Sequence, residues 1–281
     1  MMKIAYLGPS ASFTYLATQL AFPNAELVPY PTIPACIQAA EERNVDVAVV
    51  PIENTIEGPV NVTLDYLYHQ SNLSIQAELV LPIHQHLMVH PRHVSEWKNA
   101  TKVLSHPQAL AQSQHFLTTE ISKAVVESTP STAYAAEFVL QHPEQNLVAV
   151  ASKVSADEYQ LTIVAENIQE LENNQTRFVL LSHQNVELPR ISHKEKISMS
   201  VTVPDNVPGA FHKVLSTFSW RQIDLCKIES RPLKTVLGEY FFLIDLYVNN
   251  QQTLIQHAIE EIELLGGIVK VFGCYTVYPI Q

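Results

Sequence analysis

The sequence predicts an α/β architecture in two parts: two lobes of strand–helix units around a hinged cleft, then a smaller sandwich of ferredoxin-like βαββαβ order. Three observations predict it. As far as about residue 180, short apolar segments recur, each closed by a small polar or Gly/Pro turn and followed by a helical stretch. That order belongs to a mostly parallel sheet with helices on both faces. Two extended stretches, residues 75–89 broken by Pro82 and the strand that begins near Gln175, stand where a chain crosses between two lobes and returns. Beyond residues 187–196, which are polar and hold Pro189, strand and helix patterns return in the order β, α, β, β, α, β. The chain has 281 residues and is 47% hydrophobic, enough for two domains with a sizeable core.

The units are read in order. Lys3 to Leu7 leads through Gly8-Pro9-Ser10-Ala11-Ser12 to a helix over Thr14 to Leu20. Val45 to Pro51 leads to the long polar turn Ile52-Glu53-Asn54-Thr55, with a helix near Val60 to Tyr68. Lys102 to Leu104 leads to a helix over Gln108 to Phe116, Ala124 to Glu127 to one over Ala133 to Leu140, and Leu147 to Ala151 to one over Lys153 to Glu158. Ser10 or Ser12, Ser105, Ser131 and Ser152 stand at N-cap positions, and Pro107 at a first helical turn. In such sheets the strand C-termini and helix N-termini share one edge, where partial positive charge and free N–H groups hold anions. The later part reads as a strand from Ile197, a turn over Pro204 to Gly209, a helix to Phe218, strands near Ile223 to Ser230 and Tyr240 to Val248 joined by a loop with Gly238, a helix over Thr253 to Leu265, and a closing strand to Tyr278.

A formal net charge of −11 argues against nucleic acid or an anionic membrane as partner. No apolar run spans a bilayer, and Gly8-Pro9 interrupts the N-terminus before any signal-like segment, so a cytoplasmic protein is expected. Cys36, Cys226 and Cys274 are far apart and read as reduced, mostly buried thiols. His84 and His86 share a strand face, but no Cys or carboxylate pair completes a ligand set near them or near His90 and His93. Neither a metal nor a cofactor is expected.

The stretch Asn173-Asn174-Gln175-Thr176-Arg177-Phe178-Val179-Leu180-Leu181 opens polar and closes as an apolar strand. Thr176 and Arg177 point to opposite faces of such a strand, so one site takes both only if the backbone bends or lies at a cleft edge. Before residue 187 the other arginines are Arg43 and Arg92, and neither begins an apolar strand.

Several stretches resemble the bacterial prephenate dehydratases that carry a C-terminal ACT domain. They are Gly8-Pro9-Ser10-Ala11-Ser12-Phe13-Thr14, Pro51-Ile52-Glu53-Asn54-Thr55-Ile56-Glu57-Gly58, Ser105-His106-Pro107-Gln108-Ala109-Leu110, Ser131-Thr132-Ala133-Tyr134-Ala135-Ala136 and Thr176-Arg177-Phe178, then Pro208-Gly209-Ala210-Phe211 and Ile228-Glu229-Ser230-Arg231-Pro232. The resemblance covers nearly the whole chain. Ala11 and Ser12 depart from the family's Gly and Thr, Gln85 stands where relatives often have His, and Phe211 is bulkier than the usual Leu. The resemblance implies a catalytic domain over 1–186 with the two-lobed plan of type II periplasmic binding proteins. Lobe one is placed at about 1–76 plus 160–186, lobe two at about 77–159, the linker at 187–196 and the ACT domain at 197–281. It implies Thr176 as the catalytic hydroxyl and Arg177 on the pyruvyl carboxylate of prephenate. Ser12, Thr14, Asn54, Thr55, Ser105, Gln108, Thr132 and Phe178 would line the substrate site, with Glu53 and Glu57 as turn formers. Gly209, Ala210, Phe211, Glu229, Ser230, Arg231 and Pro232 would bind the effector L-phenylalanine between chains of a homodimer or homotetramer. Removing the residues after Lys196 is then expected to abolish inhibition and keep activity. Arogenate is an alternative substrate, and a non-catalytic amino-acid sensor an alternative role, against which the intact Thr176-Arg177-Phe178 argues.

Overall fold

The computed structural model describes residues 1–186, 188, 192, 194–203, 208–234 and 240–280. Pro189 and much of the expected linker, the turn residues 204–207 and Gly238 lie outside the described residues.

The first lobe starts with β1 (Lys3–Leu7), α1 (Phe13–Ala21), β2 (Glu26–Tyr30), α2 (Ile33–Glu41), β3 (Val47–Asn54), β4 (Gly58–Pro59), α3 (Asn61–His69) and β5 (Ser74–Pro82). Parallel pairing of β1 with β2 and β3 follows from the βαβ crossovers, and α1 and α2 pack their alanine-rich faces on this sheet. The sequence pattern does not delineate the unit β2–α2; its strand is only half buried and contains Pro29, so its apolar signal is weak.

The second lobe comprises β6 (His86–Val89), β7 (Lys102–Ser105), α4 (Pro107–Gln112), α5 (Gln114–Glu120), β8 (Val125–Ser128), α6 (Thr132–Gln141), β9 (Leu147–Ala151), α7 (Lys153–Glu158) and β10 (Thr162–Ala165). The strands form a sheet in the order β10-β6-β9-β7-β8. The helix expected over Gln108 to Phe116 is broken at the buried Ser113 into α4 and α5. The chain returns through β11 (Gln175–Ser182), which lies antiparallel between β3 and β5.

The lobe boundaries differ from those expected. Strand β5 stays paired with β11 as far as Pro82, and β10 pairs with β6, so the crossings fall at 83–85 and 166–174 rather than at 77 and 160. Backbone pairing decides this: a strand leaves its sheet only where its N–H and C=O groups find other partners. Ile83 N–H still donates to Asn174 at 2.8 Å, and Gln85 accepts from Ile168 N–H at 2.8 Å.

The C-terminal part is β12 (Glu195–Thr202), α8 (Ala210–Ser219), β13 (Leu225–Pro232), β14 (Tyr240–Tyr247), α9 (Gln252–Leu264) and β15 (Ile268–Pro279). Its antiparallel order, β13-β14-β12-β15, is ferredoxin-like. Strand β12 takes in Glu195 and Lys196, the last two residues of the expected linker, and buries Lys196.

The two parts are not beads on a tether. The end of β15 pairs in parallel with β5, so one sheet runs from β13 through to β2. Phe241, Leu243, Phe272 and Tyr275 join Cys36, Ile37, Leu64 and Leu67 in one core. Tyr68 stacks on Phe241 with ring centroids 3.7 Å apart. Cys36 is buried, as expected, but Cys226 and Cys274 are exposed.

Candidate active site

A cleft of about 630 Å³ lies between the lobes, at the sheet edge where β1, β7 and β8 hand over to α1, α4 and α6. Thr176 and Phe178, two apart on β11, line it on one face, and Phe178 is fully buried at its back. Ser12, Thr14, Asn54, Gln108 and Thr132 line it as well.

Thr176 pairs across the ladder with Asn54, which β3 carries in as its last residue. The turn expected at Ile52-Glu53-Asn54 is therefore strand, and it folds back through Gly58–Pro59 as a hairpin. Asn54 Oδ1 accepts the N–H groups of Ile56 (3.0 Å) and Glu57 (3.1 Å). With the oxygen so engaged, the amide nitrogen must face the other way. Asn54 Nδ2 donates to Thr176 Oγ1 at 2.9 Å and to Asn174 Oδ1 at 2.9 Å, and Asn174 Nδ2 donates to Gln112 Oε1 at 3.0 Å. The chain from Gln112 through Asn174 and Asn54 thus ends by filling an acceptor site on the threonine oxygen. The threonine proton remains for the cleft.

Among the residues lining the cleft, the ionisable ones are Glu57 and His106, on opposite lobes. His106, not Ser105, caps α4: its Nδ1 accepts the Gln108 N–H at 3.4 Å. Burial pulls its pKa below the ordinary value of 6.5, against a smaller upward pull from Glu57. The ring is therefore neutral near pH 7, with its proton on Nε2. Gln85 Oε1, at the crossing, is buried without a protein partner among the described residues. His84 and His86 are engaged at the crossing: Nδ1 of His86 accepts the Asn167 N–H at 3.2 Å, and Nδ1 of His84 meets the Gln169 side-chain amide at 3.3 Å.

Three expected site residues are elsewhere. Arg177 points to the other face of β11 and makes ion pairs with Glu53 (2.5 Å), Glu78 (2.6 Å) and Asp245 (2.8 Å). A register shift does fall between Arg177 and Phe178 against β3, but it does not turn the guanidinium into the cleft. Ser105 is fully buried at the end of β7 and donates to the Val150 carbonyl at 2.5 Å. The Thr55 hydroxyl donates to the Gln175 carbonyl at 3.0 Å and binds the hairpin to β11.

Ser12 lines the cleft, but its hydroxyl is used locally, donating to Leu7 O and accepting from Tyr15 N. Ala11, at the position of the family's glycine, holds a left-handed φ of 61°, which strains a residue that carries a Cβ. Its carbonyl accepts from Ser155 Oγ of the other lobe at 3.0 Å. Asn174, Gln112, Gln85 and His106 join the site without having been expected there. Their signal is available in part, since Asn174 stands two before Thr176, but nothing local marks Gln112.

A family model described as prephenate dehydratase matches residues 4–186. The prephenate dehydratase of Bacillus subtilis (strain 168) is 46% identical over 285 residues, covering 99% of this chain and all of that one. The chain belongs to the prephenate dehydratase family. Among solved structures, the prephenate dehydratase of Arthrobacter aurescens in complex with L-Phe is 28% identical, with a TM-score of 0.85 over 98% of this chain and 90% of that one. The prephenate dehydratase of Streptococcus mutans is 34% identical, with a TM-score of 0.64 over 99% of this chain and 100% of that one.

In this prephenate dehydratase family member the expected effector stretches lie on the C-terminal part. Gly209, at φ 84°, is the N-cap of α8, which begins with Ala210 and Phe211. Phe211 stacks on Phe242 with centroids 3.6 Å apart, and Phe242 pairs across the ladder with Ser230. Arg231 donates to Asp65 (2.6 Å) and Asn61 on α3 and to Glu229, so the stretch Glu229 to Pro232 sits at the domain junction. Pairing with Arg231 and Lys234 outweighs burial and holds the Asp65 carboxyl below the usual range.

Proposed function

We propose that the chain converts prephenate to phenylpyruvate, carbon dioxide and water, and that L-phenylalanine inhibits it through the C-terminal domain. The full-length similarity to the Bacillus subtilis enzyme and the likeness to the Arthrobacter aurescens enzyme solved with L-Phe support this reading. The arrangement of Asn54 on the Thr176 hydroxyl carries it mechanistically.

Prephenate is a dianion, and its products are one monoanion and two neutral molecules, so one proton is consumed. The C–C bond to the ring carboxylate breaks and its electron pair enters the ring. The C–O bond to the ring hydroxyl breaks and its pair leaves with oxygen, which takes the proton. Thr176 is too weak an acid to surrender its proton alone. It donates a hydrogen bond to the departing oxygen and relays a proton from water, while Asn54 fixes the direction of that donation. A preorganised donor of this kind is worth about 3 kcal/mol in the transition state. The Nε2–H of neutral His106 is a second uncharged donor across the cleft.

Among the described residues, no guanidinium or ammonium lines the cleft. Backbone N–H groups at the starts of α1 and α6 supply partial positive charge for the pyruvyl carboxylate instead. Neutral donors suit a substrate that must lose a charge, because a strong salt bridge to the ring carboxylate would stabilise the ground state more than the transition state. Effector binding between paired copies belongs to the same reading. Leu264, Leu265, Ile268 and Val271 leave apolar surface exposed on the C-terminal domain for a second copy. The test is release of phenylpyruvate from prephenate, with and without L-phenylalanine, alongside arogenate as competing substrate. Preferential turnover of arogenate, or none of either, overturns the assignment.

A further inference from the structure

The reverse face of β11 carries a second arrangement that mirrors the catalytic one. On the cleft face, Asn54 of β3 meets Thr176 of β11. One residue along, on the opposite face, Glu53 of β3 meets Arg177 of β11. The two contacts are adjacent rungs of the same ladder.

The reverse rung is tied to the C-terminal domain at two points. Arg177 donates to Asp245 of β14, and Glu53 accepts from Lys227 of β13 at 3.0 Å. Glu78 of β5, fully buried, joins Arg177 to Lys196 of β12. Three carboxylates, Glu53, Glu78 and Asp245, thus meet three cations, Arg177, Lys196 and Lys227, and each cation makes at least one ion pair across this seam, Lys227 also pairing with Glu229 on its own strand. Ser198 Oγ donates to Asp245 Oδ1 at 2.6 Å and fixes the carboxylate against its own sheet. A movement of β13 or β14 therefore pulls on the fork of Arg177, and through the backbone on its neighbour Thr176.

We propose that Arg177 is a positioning residue: it sets the Thr176–Asn54 rung from behind and makes that setting depend on the C-terminal domain through Asp245 and Lys227. It touches no substrate. Its planar fork matters because its terminal nitrogens serve three carboxylates at once, and a lysine ammonium cannot keep that geometry. The inference rests on the proposed activity and effector.

The test compares wild type, Arg177→Lys and Asp245→Asn as full chains. Arg177→Lys is expected to lower kcat about ten-fold with KM within about three-fold, because the damaged group acts on the donor and not on binding. A ten-fold rise in KM at unchanged kcat would mean direct substrate contact and would overturn the proposal. Asp245→Asn leaves Arg177 held by Glu53 and Glu78, so uninhibited kcat stays within about three-fold while the half-inhibitory L-phenylalanine concentration rises about ten-fold. Direct binding of L-phenylalanine, measured by calorimetry, is unchanged. A change confined to thermal stability, with the inhibition curve intact, would reduce the cluster to a structural seam and refute the coupling. Lys227→Gln, at the more accessible end, makes the same comparison where Asp245→Asn does not fold. Should wild type turn over prephenate without responding to L-phenylalanine, the effector reading and this coupling both fall. Should wild type respond and the variants match it, only the coupling does.

Discussion

Replacing Thr176 by valine removes one hydroxyl and almost no volume, and the geometry around it sets the expected result. Asn54 Nδ2 has two protons and three acceptors within reach: Asn174 Oδ1 at 2.9 Å, Gln175 O at 3.2 Å and Thr176 Oγ1 at 2.9 Å. Losing the third leaves two protons for two acceptors, so no buried donor is orphaned. The stability cost is under about 1 kcal/mol, a fall in Tm of no more than about 3 °C for a chain of this size. Strand pairing of β11 on both sides uses backbone groups and is untouched. The cost in rate is different in kind. A donor aimed at the departing oxygen is worth about 3–4 kcal/mol, so kcat should fall by about two to three decades. Thr176→Ser, which keeps the hydroxyl and loses a methyl group, should stay within about ten-fold of wild type. The assay is formation of phenylpyruvate from prephenate, followed by alkaline absorbance, beside a thermal melt. If Thr176→Val turns over within a factor of about three of wild type while melting normally, the hydroxyl is not the donor and the mechanism fails.

Asn54→Asp is nearly isosteric but replaces the donating NH2 by an acceptor and brings a negative charge beside a dianion; kcat/KM should drop at least about 100-fold, and a loss below about three-fold would count against the amide's role. Burial is the first cause of the lowered pKa values of His86, His90 and His106. Their contribution to stability is present above the unfolded value of 6.5 and is lost as pH falls through the folded values, so urea midpoints should decline below pH 6.5. A second decline should follow below 4.5, where Glu53, held down by Arg177 and Lys227 against its burial, takes up protons; midpoints flat from about pH 7.5 to about pH 5 would contradict the first, and midpoints flat from about pH 4.5 to about pH 3 the second. A Cβ on Gly273 would run into the Ile75 backbone carbonyl, where β15 crosses from one domain's sheet to the other. Gly273→Ala should therefore cost about 1–3 kcal/mol, read as a lowered urea midpoint, and an unchanged midpoint would mean the two backbones part freely. Deleting the residues after Lys196 should abolish the L-phenylalanine response but also lower stability and basal activity, because it strips Phe241 and Tyr275 from the shared core and Asp245 and Lys227 from Arg177 and Glu53; a truncate with full activity would argue that the junction is passive.

That last expectation departs from the one drawn from sequence, and the reason shows what a sequence reading reaches. Period-two and period-3.6 patterns are local, so they found most of the strands and helices, β2 and α2 excepted, and set Thr176 and Arg177 on opposite faces. Caps are local too, and Ser12, Ser131 and Ser152 each accept the expected backbone N–H. Arg177 was assigned to the pyruvyl carboxylate on the family resemblance and the charge of the substrate, yet adjacency to Thr176 on a strand means opposite faces. What decides its role are Glu78 and Asp245, separated from it by 99 and 68 positions, and no window of residues reveals such partners. Ser105 failed for a similar reason: its hydroxyl bonds to Val150, 45 positions away, and the cap passes to His106. Asn174 on the crossing and Gln112 on the second lobe join the site through their side-chain amides, a contact that exists only once both sheets are in place. The lobe boundaries slipped because Ile75 to Val89 reads as one extended stretch interrupted by Pro82, and only hydrogen-bond partners tell where one sheet ends.

Withdrawing Arg177 from the cleft also removes a difficulty. The chain is strongly acidic, at −11, and its substrate is doubly negative, which makes an arginine in the pocket an attractive assumption. A fixed guanidinium, however, would bind substrate charge that the reaction is about to discharge, and part of that binding would have to be given back in the transition state. Helix N-termini and neutral amides offer a softer field, since their partial charges fall off within a turn. Behind β11 the constraint is reversed. There the cation must be permanent, because burial alone would otherwise push Glu53 towards neutrality. Glu78 and Asp245 keep Arg177 charged against the cost of burial, and Arg177 in turn keeps Glu53 ionised. On the proposed mechanism, one strand therefore serves two electrostatic tasks by the alternation of its side chains, an uncharged donor for chemistry on one face and a full charge behind it on the other.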